Sequence, residues 1–299
     1  MIFRQQIRIQ PRATTMNKCC IQTTTQQQAT ITQSFNIVNM LPHTNNTNNN
    51  NNNNNCKAHC NGSNKKCNTQ YVTVSPEDRK HIEQRVQTAY EFFEKTLQIY
   101  RVDELIFCFN GGKDCTVLLD VLMRYCRTQN IASQHIPMLY IESDDSFPEI
   151  DEFVARCVEL YDVKLIKYKD SLKQALTHMT EDMPLIKAVF VGSRNTDPHC
   201  EQLQPMQKTD SDWPDMMRLN PLLEWTYHDI WHYIHLHGVP YCSLYAQGYT
   251  SIGYKSNTLP NPHLKRCSDP NAVPATSCYR PAWELADPTQ ERAGRLSRK

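Results

Sequence analysis

From Ser75 onward the chain alternates short apolar runs with segments of helical periodicity, and this alternation constrains the fold more than any other feature. Ser75 suits an N-cap, Pro76 the first helical position, and Glu77 and Asp78 the first turn, while Ile82, Val86, Tyr90, Phe93 and Leu97 recur every three or four residues. The pattern predicts an amphipathic helix over 75–100. Leu105 to Phe109 is a continuous apolar run, followed by Asn110, Gly111, Gly112, Lys113 and Asp114 and then by helically spaced Val117, Leu118, Val121, Leu122 and Tyr125. Strand, glycine turn and helix follow from that order. The unit repeats as strand 138–141, helix 148–161, strand 163–168, helix 171–179 and strand 187–191. Buried strands alternating with helices predict an α/β fold, an open and mostly parallel sheet with helices on both faces. Past Val191 the alternation ends: a loop bearing Pro198, Pro205 and Pro214 leads to a short segment at 218–223, a helix over 226–236, and an irregular C-terminal extension rich in Pro and Tyr.

Residues 1–74 read differently. They are crowded with Asn, Gln and Thr, with an unbroken Asn run from Asn48 to Asn55, and such tracts bury too little apolar surface to offset ordering entropy. This tract lowers the mean hydropathy to -0.62, and the folded domain is expected over 75–299. The first acidic residue is Glu77, with Arg4, Arg8 and Arg12 before it, a pattern that also fits a mitochondrial transit peptide; a disordered extension of a cytoplasmic protein is the plainer reading. The formal net charge of +1 argues against nucleic acid as a partner, and no apolar run near 18 residues exists to enter a membrane. The 13 Cys are scattered, and Cys108, Cys126 and Cys157 sit in apolar patterns, as small buried hydrophobes do. Cys56, His59, Cys60 and Cys67 match no standard zinc spacing.

In open parallel sheets ligands bind beyond the carboxyl ends of the strands, so 110–114, 142–146 and 192–198 are expected around one crevice. The Gly111–Gly112 pair lets backbone N–H groups approach an anion at a helix N-terminus, with an ordinary strand-to-helix turn as the alternative reading. It is not a Walker A loop, because Lys113 precedes Asp114 rather than Ser or Thr. Arg194 can clamp a phosphate and Asp197 can help hold Mg²⁺; as alternatives, Arg194 is a surface cation and the Asp197–Pro198 pair an ordinary turn.

At this point the residues carry a family resemblance. Asn110-Gly-Gly-Lys-Asp114 resembles the PP-loop of the PAPS-reductase-like group, and Asn in place of the usual Ser is similar to the eukaryotic FAD synthases. So are Gly192-Ser-Arg-Asn-Thr-Asp-Pro198, Met217-Arg-Leu-Asn-Pro-Leu-Leu-Glu-Trp225, His228-Asp-Ile-Trp231, the run from Val239 to Gly253, Asn261-Pro262 and Glu291-Arg-Ala-Gly-Arg295, in order and spacing. The resemblance covers 75–299. It implies a Rossmann-like PP-loop fold and a monomeric FMN adenylyltransferase that converts ATP and FMN to FAD and pyrophosphate, with Mg²⁺, and that passes FAD to flavoprotein apo-enzymes. Carried over by residue, Phe109, Asn110, Gly111, Gly112, Asp114, Ile141, Gly192, Arg194, Arg218 and Asn220 would bind ATP, and Asp114 and Asp197 the metal. Asp197, Trp225, Arg292 and Arg295 would bind FMN. Asn110, Asp114, Arg194 and Asp197 would serve catalysis.

Other features of the sequence suggest competing readings. A sulfonucleotide reductase shares the loop but resembles a segment Glu-Cys-Gly-(Ile/Leu)-His that Cys267 and Cys278 do not reproduce. An RNA-associated factor would need a basic stripe. His228 and His232 stand at i and i+4, without the Glu that follows the first His in zinc hydrolases. Tyr241, Tyr245, Tyr249 and Tyr254 fit packing at least as well as flavin stacking. Cys115 sits at a helix N-terminus, where thiol pKa falls.

Overall fold

The computed structural model describes residues 74–266 and 279–296. The expectations for the Asn-rich tract, for the Cys56, His59, Cys60 and Cys67 group, and for Cys267 and Cys278 lie outside the described residues.

Helix α1 (Pro76–Ile99) begins where its cap predicts: the Ser75 side chain accepts from the Asp78 amide. Strand β1 (Leu105–Phe109) feeds α2 (Lys113–Thr128), then β2 (Met138–Ile141), α3 (Pro148–Tyr161), β3 (Leu165–Tyr168), α4 (Leu172–Asp182) and β4 (Ala188–Phe190). Strands β5 (Met206–Lys208) and β6 (Met217–Leu219) and helix α5 (Tyr227–His237) complete the regular elements. A capping box of Thr226 and Asp229 opens α5, and Gly238 in the left-handed region closes it. Beyond Gly238 the described residues run as short 3₁₀ turns, in keeping with the irregular, Pro-rich extension expected there.

The sheet order is β3-β2-β1-β4-β6-β5, and every pairing is parallel except that of β5 with β6. The chain builds outward from β1 through β2 to β3, then returns to the other side of β1 with β4. The strand order thus reverses between β1 and β4, which opens a crevice beyond their carboxyl ends.

Strand side chains alternate between the two faces. Leu105, Phe107 and Phe109 join residues of α1, α2, α3 and α5 in one large core, whereas Ile106, Leu139 and Val189 meet Leu176 and Met179 of α4 in a smaller one. Helices cover both faces, but unequally. α4 alone lies opposite because its connection runs back across the sheet, and a right-handed crossover in that direction passes over the other face. Strand β5 is absent from the sequence reading: three residues after Pro205 carry no legible alternation, and the strand exists through its register with β6 (Gln207 against Arg218). Among the described residues no helix is long and apolar enough to cross a membrane.

Candidate active site

Two backbone segments meet at the reversal of strand order. Gly192, just past β4, approaches the first turn of α2 so closely that an added Cβ would lie 2.9 Å from the Cys115 backbone nitrogen. Gly111 adopts φ +70°, a left-handed conformation that turns the chain from β1 into α2, and an added Cβ there would press on Ile150. The Asn110 Oδ1 accepts from the Gly112 amide at 2.9 Å, and the Tyr245 hydroxyl accepts from the Lys113 amide at 2.8 Å. Two of the N–H groups that a phosphate cradle would offer are therefore engaged within the protein, which shifts anion binding here toward side chains.

Those side chains form one buried cluster. Arg194 is 1% exposed and Lys113 2%. Arg194 Nη2 donates to Asp197 Oδ1 at 3.0 Å and to Glu291 Oε2 at 2.8 Å, and the Arg194 amide donates to Asp197 Oδ2 at 2.9 Å. Its Nε lies 2.9 Å from Asp114 Oδ1, close as an ion pair but without hydrogen-bond alignment. Lys113 Nζ donates to Asp114 Oδ2 at 2.9 Å and to Glu291 Oε1, and stands 5.2 Å from the Tyr227 ring centroid. Two cations thus face three carboxylates. Burial works against the charge on Asp114, but Lys113 and Arg194 outweigh it and hold that carboxyl below its usual range. For Asp197 burial prevails over Arg194, helped by the neighbouring Asp114 and Glu291 charges, and its pKa is raised. Arg194 stays protonated, since its three carboxylates outweigh its desolvation.

The C-terminal extension supplies the far wall. Thr250 Oγ1 donates to the Glu291 carbonyl at 2.6 Å, and Asn261, fully buried, donates to Thr250 Oγ1 at 2.8 Å and to the Gln290 carbonyl at 2.7 Å. One residue further along both segments, Arg292 and Arg295 converge on Ser251, with Nη1 atoms 3.4 and 3.5 Å from its Oγ. The guanidinium of Arg295 lies against Gly253 where a Cβ would otherwise be.

Other expected residues sit elsewhere. Trp225, read as an FMN contact, is 2% exposed and stands edge-on to Tyr233 at 5.6 Å between ring centroids, so its ring packs on protein. The Phe109 ring, read as part of the ATP site, is in the core between Phe107 and Phe153. Only its backbone reaches the sheet edge. Asn220 is buried with Nδ2 donating to the Gln204 carbonyl at 2.9 Å, and Arg218 lies within β6 with a buried Nε that has no hydrogen-bond partner. Ile141 ends β2, half-buried. Lys113, Tyr245, Thr250, Asn261 and Glu291 were given no place in the site, although all five stand inside the motifs quoted above.

The remaining candidates are structural. Burial pushes the Cys115 thiol far up despite its place on α2, which removes it as a nucleophile. His228 Nε2 pairs with the Leu285 carbonyl at 3.1 Å, His235 stacks edge-on to Trp283, and among the described residues no three His, Cys, Asp or Glu side chains form a metal-binding group. Tyr241 packs on Trp231 and Trp283, and Tyr249 on Phe147.

Comparison with known proteins agrees with this architecture. Residues 104–260 match the phosphoadenosine phosphosulfate reductase domain. The chain is 35% identical over 219 residues to a probable FAD synthase of Schizosaccharomyces pombe, covering 72% of this chain and 80% of that one. It is 37% identical over 212 residues to a probable FAD synthase of Caenorhabditis briggsae, where the match covers 71% of this chain but only 40% of the longer relative. Among solved structures, Candida glabrata FMN adenylyltransferase in complex with ATP superposes with a TM-score of 0.68 at 29% identity, covering 77% of this chain and 92% of that one. The same enzyme in complex with FAD and inorganic pyrophosphate gives 0.67 at 29% identity, over 76% and 93%. The chain therefore belongs to the FAD synthase family, built on the phosphoadenosine phosphosulfate reductase domain.

Proposed function

We propose that residues 75–299 transfer AMP from ATP to the phosphate of FMN, giving FAD and pyrophosphate. The observation that carries the reading is the adjacency of two anion-handling groups. Lys113 and Arg194 form one at the reversal of strand order, and Arg292 and Arg295 on Ser251 form the other, joined through Thr250–Ser251 and Glu291–Arg292. A reaction between two phosphate-bearing substrates needs such a pair.

An FMN phosphate oxygen attacks the α-phosphorus of ATP, forming the new P–O bond. The bond from that phosphorus to the α,β-bridging oxygen breaks, and pyrophosphate leaves with the electron pair. The attacking phosphate is already ionised, so no general base is needed, and the buried Cys115 thiol offers no covalent route. The task of the protein is alignment and charge neutralisation. Arg292 and Arg295 hold the acceptor dianion; Arg194, oriented by Asp197, and Lys113 meet the polyphosphate. The donor set fits a Mg²⁺ ion, because the carboxylate oxygen Asp114 Oδ1 is buried without a hydrogen-bond partner, whereas both Asp197 oxygens accept from Arg194. Asp114 would hold the ion first, and it would supply positive charge to the polyphosphate.

Purified protein incubated with ATP, FMN and Mg²⁺ should yield FAD and pyrophosphate, with riboflavin inert as acceptor. Transfer to riboflavin, or pyrophosphate release without FAD, would overturn the reading. The protein is proposed to act as a cytoplasmic monomer that delivers FAD to flavoprotein apo-enzymes. Sedimentation and cell fractionation test the first two points.

A further inference from the structure

The cluster that should receive a polyanion carries the wrong charge for it. With every group ionised, Lys113 and Arg194 contribute two positive charges and Asp114, Asp197 and Glu291 three negative ones. At short range within a buried cluster that excess repels a triphosphate strongly. The three carboxylates are not equivalent. Asp114 stands in the first turn of α2 beside Lys113, and Asp197 lies three residues from Arg194 on one loop, with both oxygens bonded to it. Their positions are set by local backbone. Glu291 comes from 97 residues away, from a turn of the C-terminal extension, and its two oxygens take up Lys113 Nζ and Arg194 Nη2. Those are the donors that a bridging phosphate would claim. Arg194 Nη1, on the same nearly buried guanidinium, has no hydrogen-bond partner at all.

We propose that Glu291 is an internal counter-anion for Lys113 and Arg194, seated in the place of a nucleotide phosphate and displaced by it. Before the nucleotide arrives, Glu291 adds a third carboxylate to the two that already pair with Lys113 and Arg194, and it bridges both side chains at the crevice. When polyphosphate enters, the Glu291 carboxylate swings out while Asp114 and Asp197 keep Arg194 in place. Thr250 on the Glu291 carbonyl and Asn261 on the preceding Gln290 carbonyl hold this backbone throughout, so only the side chain has to move. Glu291 is a positioning residue: it sets the resting geometry and lowers the affinity for polyphosphate, which also eases release of the pyrophosphate product. The proposal rests on the reading that a polyphosphate occupies this crevice.

Titration of the full chain with inorganic pyrophosphate tests it. Glu291→Gln removes the competing charge and should bind pyrophosphate about tenfold more tightly than the wild type, the scale of one charge-assisted contact released for the ligand. Its melting temperature without ligand should fall, and saturating pyrophosphate should raise it by more than it raises that of the wild type. Glu291→Asp, with a retracted carboxylate, should lie between the two. Weaker or unchanged pyrophosphate binding in Glu291→Gln overturns the proposal, as does a ligand-induced melting shift no larger than that of the wild type. Should Glu291→Gln prove too unstable to titrate, an Asp variant that binds pyrophosphate no better than the wild type overturns it equally. If no FAD forms from FMN and ATP, the adenylyl-transfer reading fails, whereas the pyrophosphate titration still decides the role of Glu291.

Discussion

Gly192 and Cys115 meet backbone to backbone, with room for no Cβ between them: one placed on Gly192 would lie 2.9 Å from the Cys115 nitrogen. Through this contact the end of β4 touches the start of α2, and Arg194, two residues along, reaches Asp114. Gly192→Ala should therefore push the two segments apart. The expected cost is roughly 1–3 kcal/mol of stability, as for overpacking elsewhere. Binding of a non-hydrolysable ATP analogue should weaken by more than that loss of stability explains. Chemical denaturation and calorimetric titration of the variant measure both, and wild-type analogue affinity would contradict the role assigned to the contact.

The centre of the sheet was legible because β1, β2 and β4 are buried on both faces, and α1 because Ser75 caps it as its position predicts; Ser171 and Thr226 cap their helices in the same way. Strand β5 was not, since pairing with β6 rather than its own pattern makes it a strand. At the site, 110–114 and 192–198 announced themselves through glycines at strand ends. Glu291 did not, because no spacing rule connects a carboxylate to a cation 97 residues away. Trp225, which the resemblance alone assigns to FMN, packs edge-on against Tyr233, and no motif in the sequence announces that contact.

Asp197 should matter more for turnover than for acceptor binding. It accepts from both the backbone and the side chain of Arg194, and in Asp197→Asn one of those acceptors becomes a donor facing another donor. A misplaced Arg194 should lower kcat by roughly ten- to hundredfold, the rate equivalent of a charge-assisted contact worth about 1.5–3 kcal/mol. FMN affinity should stay within a few-fold of the wild type. Steady-state kinetics alongside fluorescence titration of FMN separates the two, and normal turnover with poor FMN binding would move Asp197 to the acceptor site.

Arg292 and Arg295 are expected to act on the acceptor. Replacing either by Ala should weaken FMN binding by ten- to hundredfold, from the loss of about 1.5–3 kcal/mol of charge-assisted contact, with little change for an ATP analogue. Gly253 allows a gentler version of the same test. The atoms nearest a Cβ there belong to the far end of the flexible Arg295 side chain, so Gly253→Ala should displace the guanidinium without unfolding the chain. Reduced FMN affinity at an unchanged melting temperature is the expected result. A loss confined to the ATP analogue would transfer both arginines to the nucleotide.

His237 gives the fold a dependence on acid. Near the end of α5 its ring stacks against Tyr233 at 4.4 Å between centroids, and its Nε2 is buried without a hydrogen-bond partner. Burial, together with the nearby Arg124 charge, lowers its pKa from 6.5 to about 4. The native state therefore keeps His237 neutral over a range in which the unfolded chain binds a proton. With more protons bound to the unfolded state, stability falls as pH drops from about 6.5 to about 4, by up to about 3 kcal/mol from this residue. Above pH 6.5 the contribution is constant, because neither state is protonated there. His237→Phe keeps the ring contact and cannot titrate, so its stability relative to the wild type should improve on going from pH 7 to pH 4.5. Urea denaturation of both proteins at the two pH values gives the comparison. An unchanged difference would mean that His237 is protonated in the native state and that its burial does not hold it neutral.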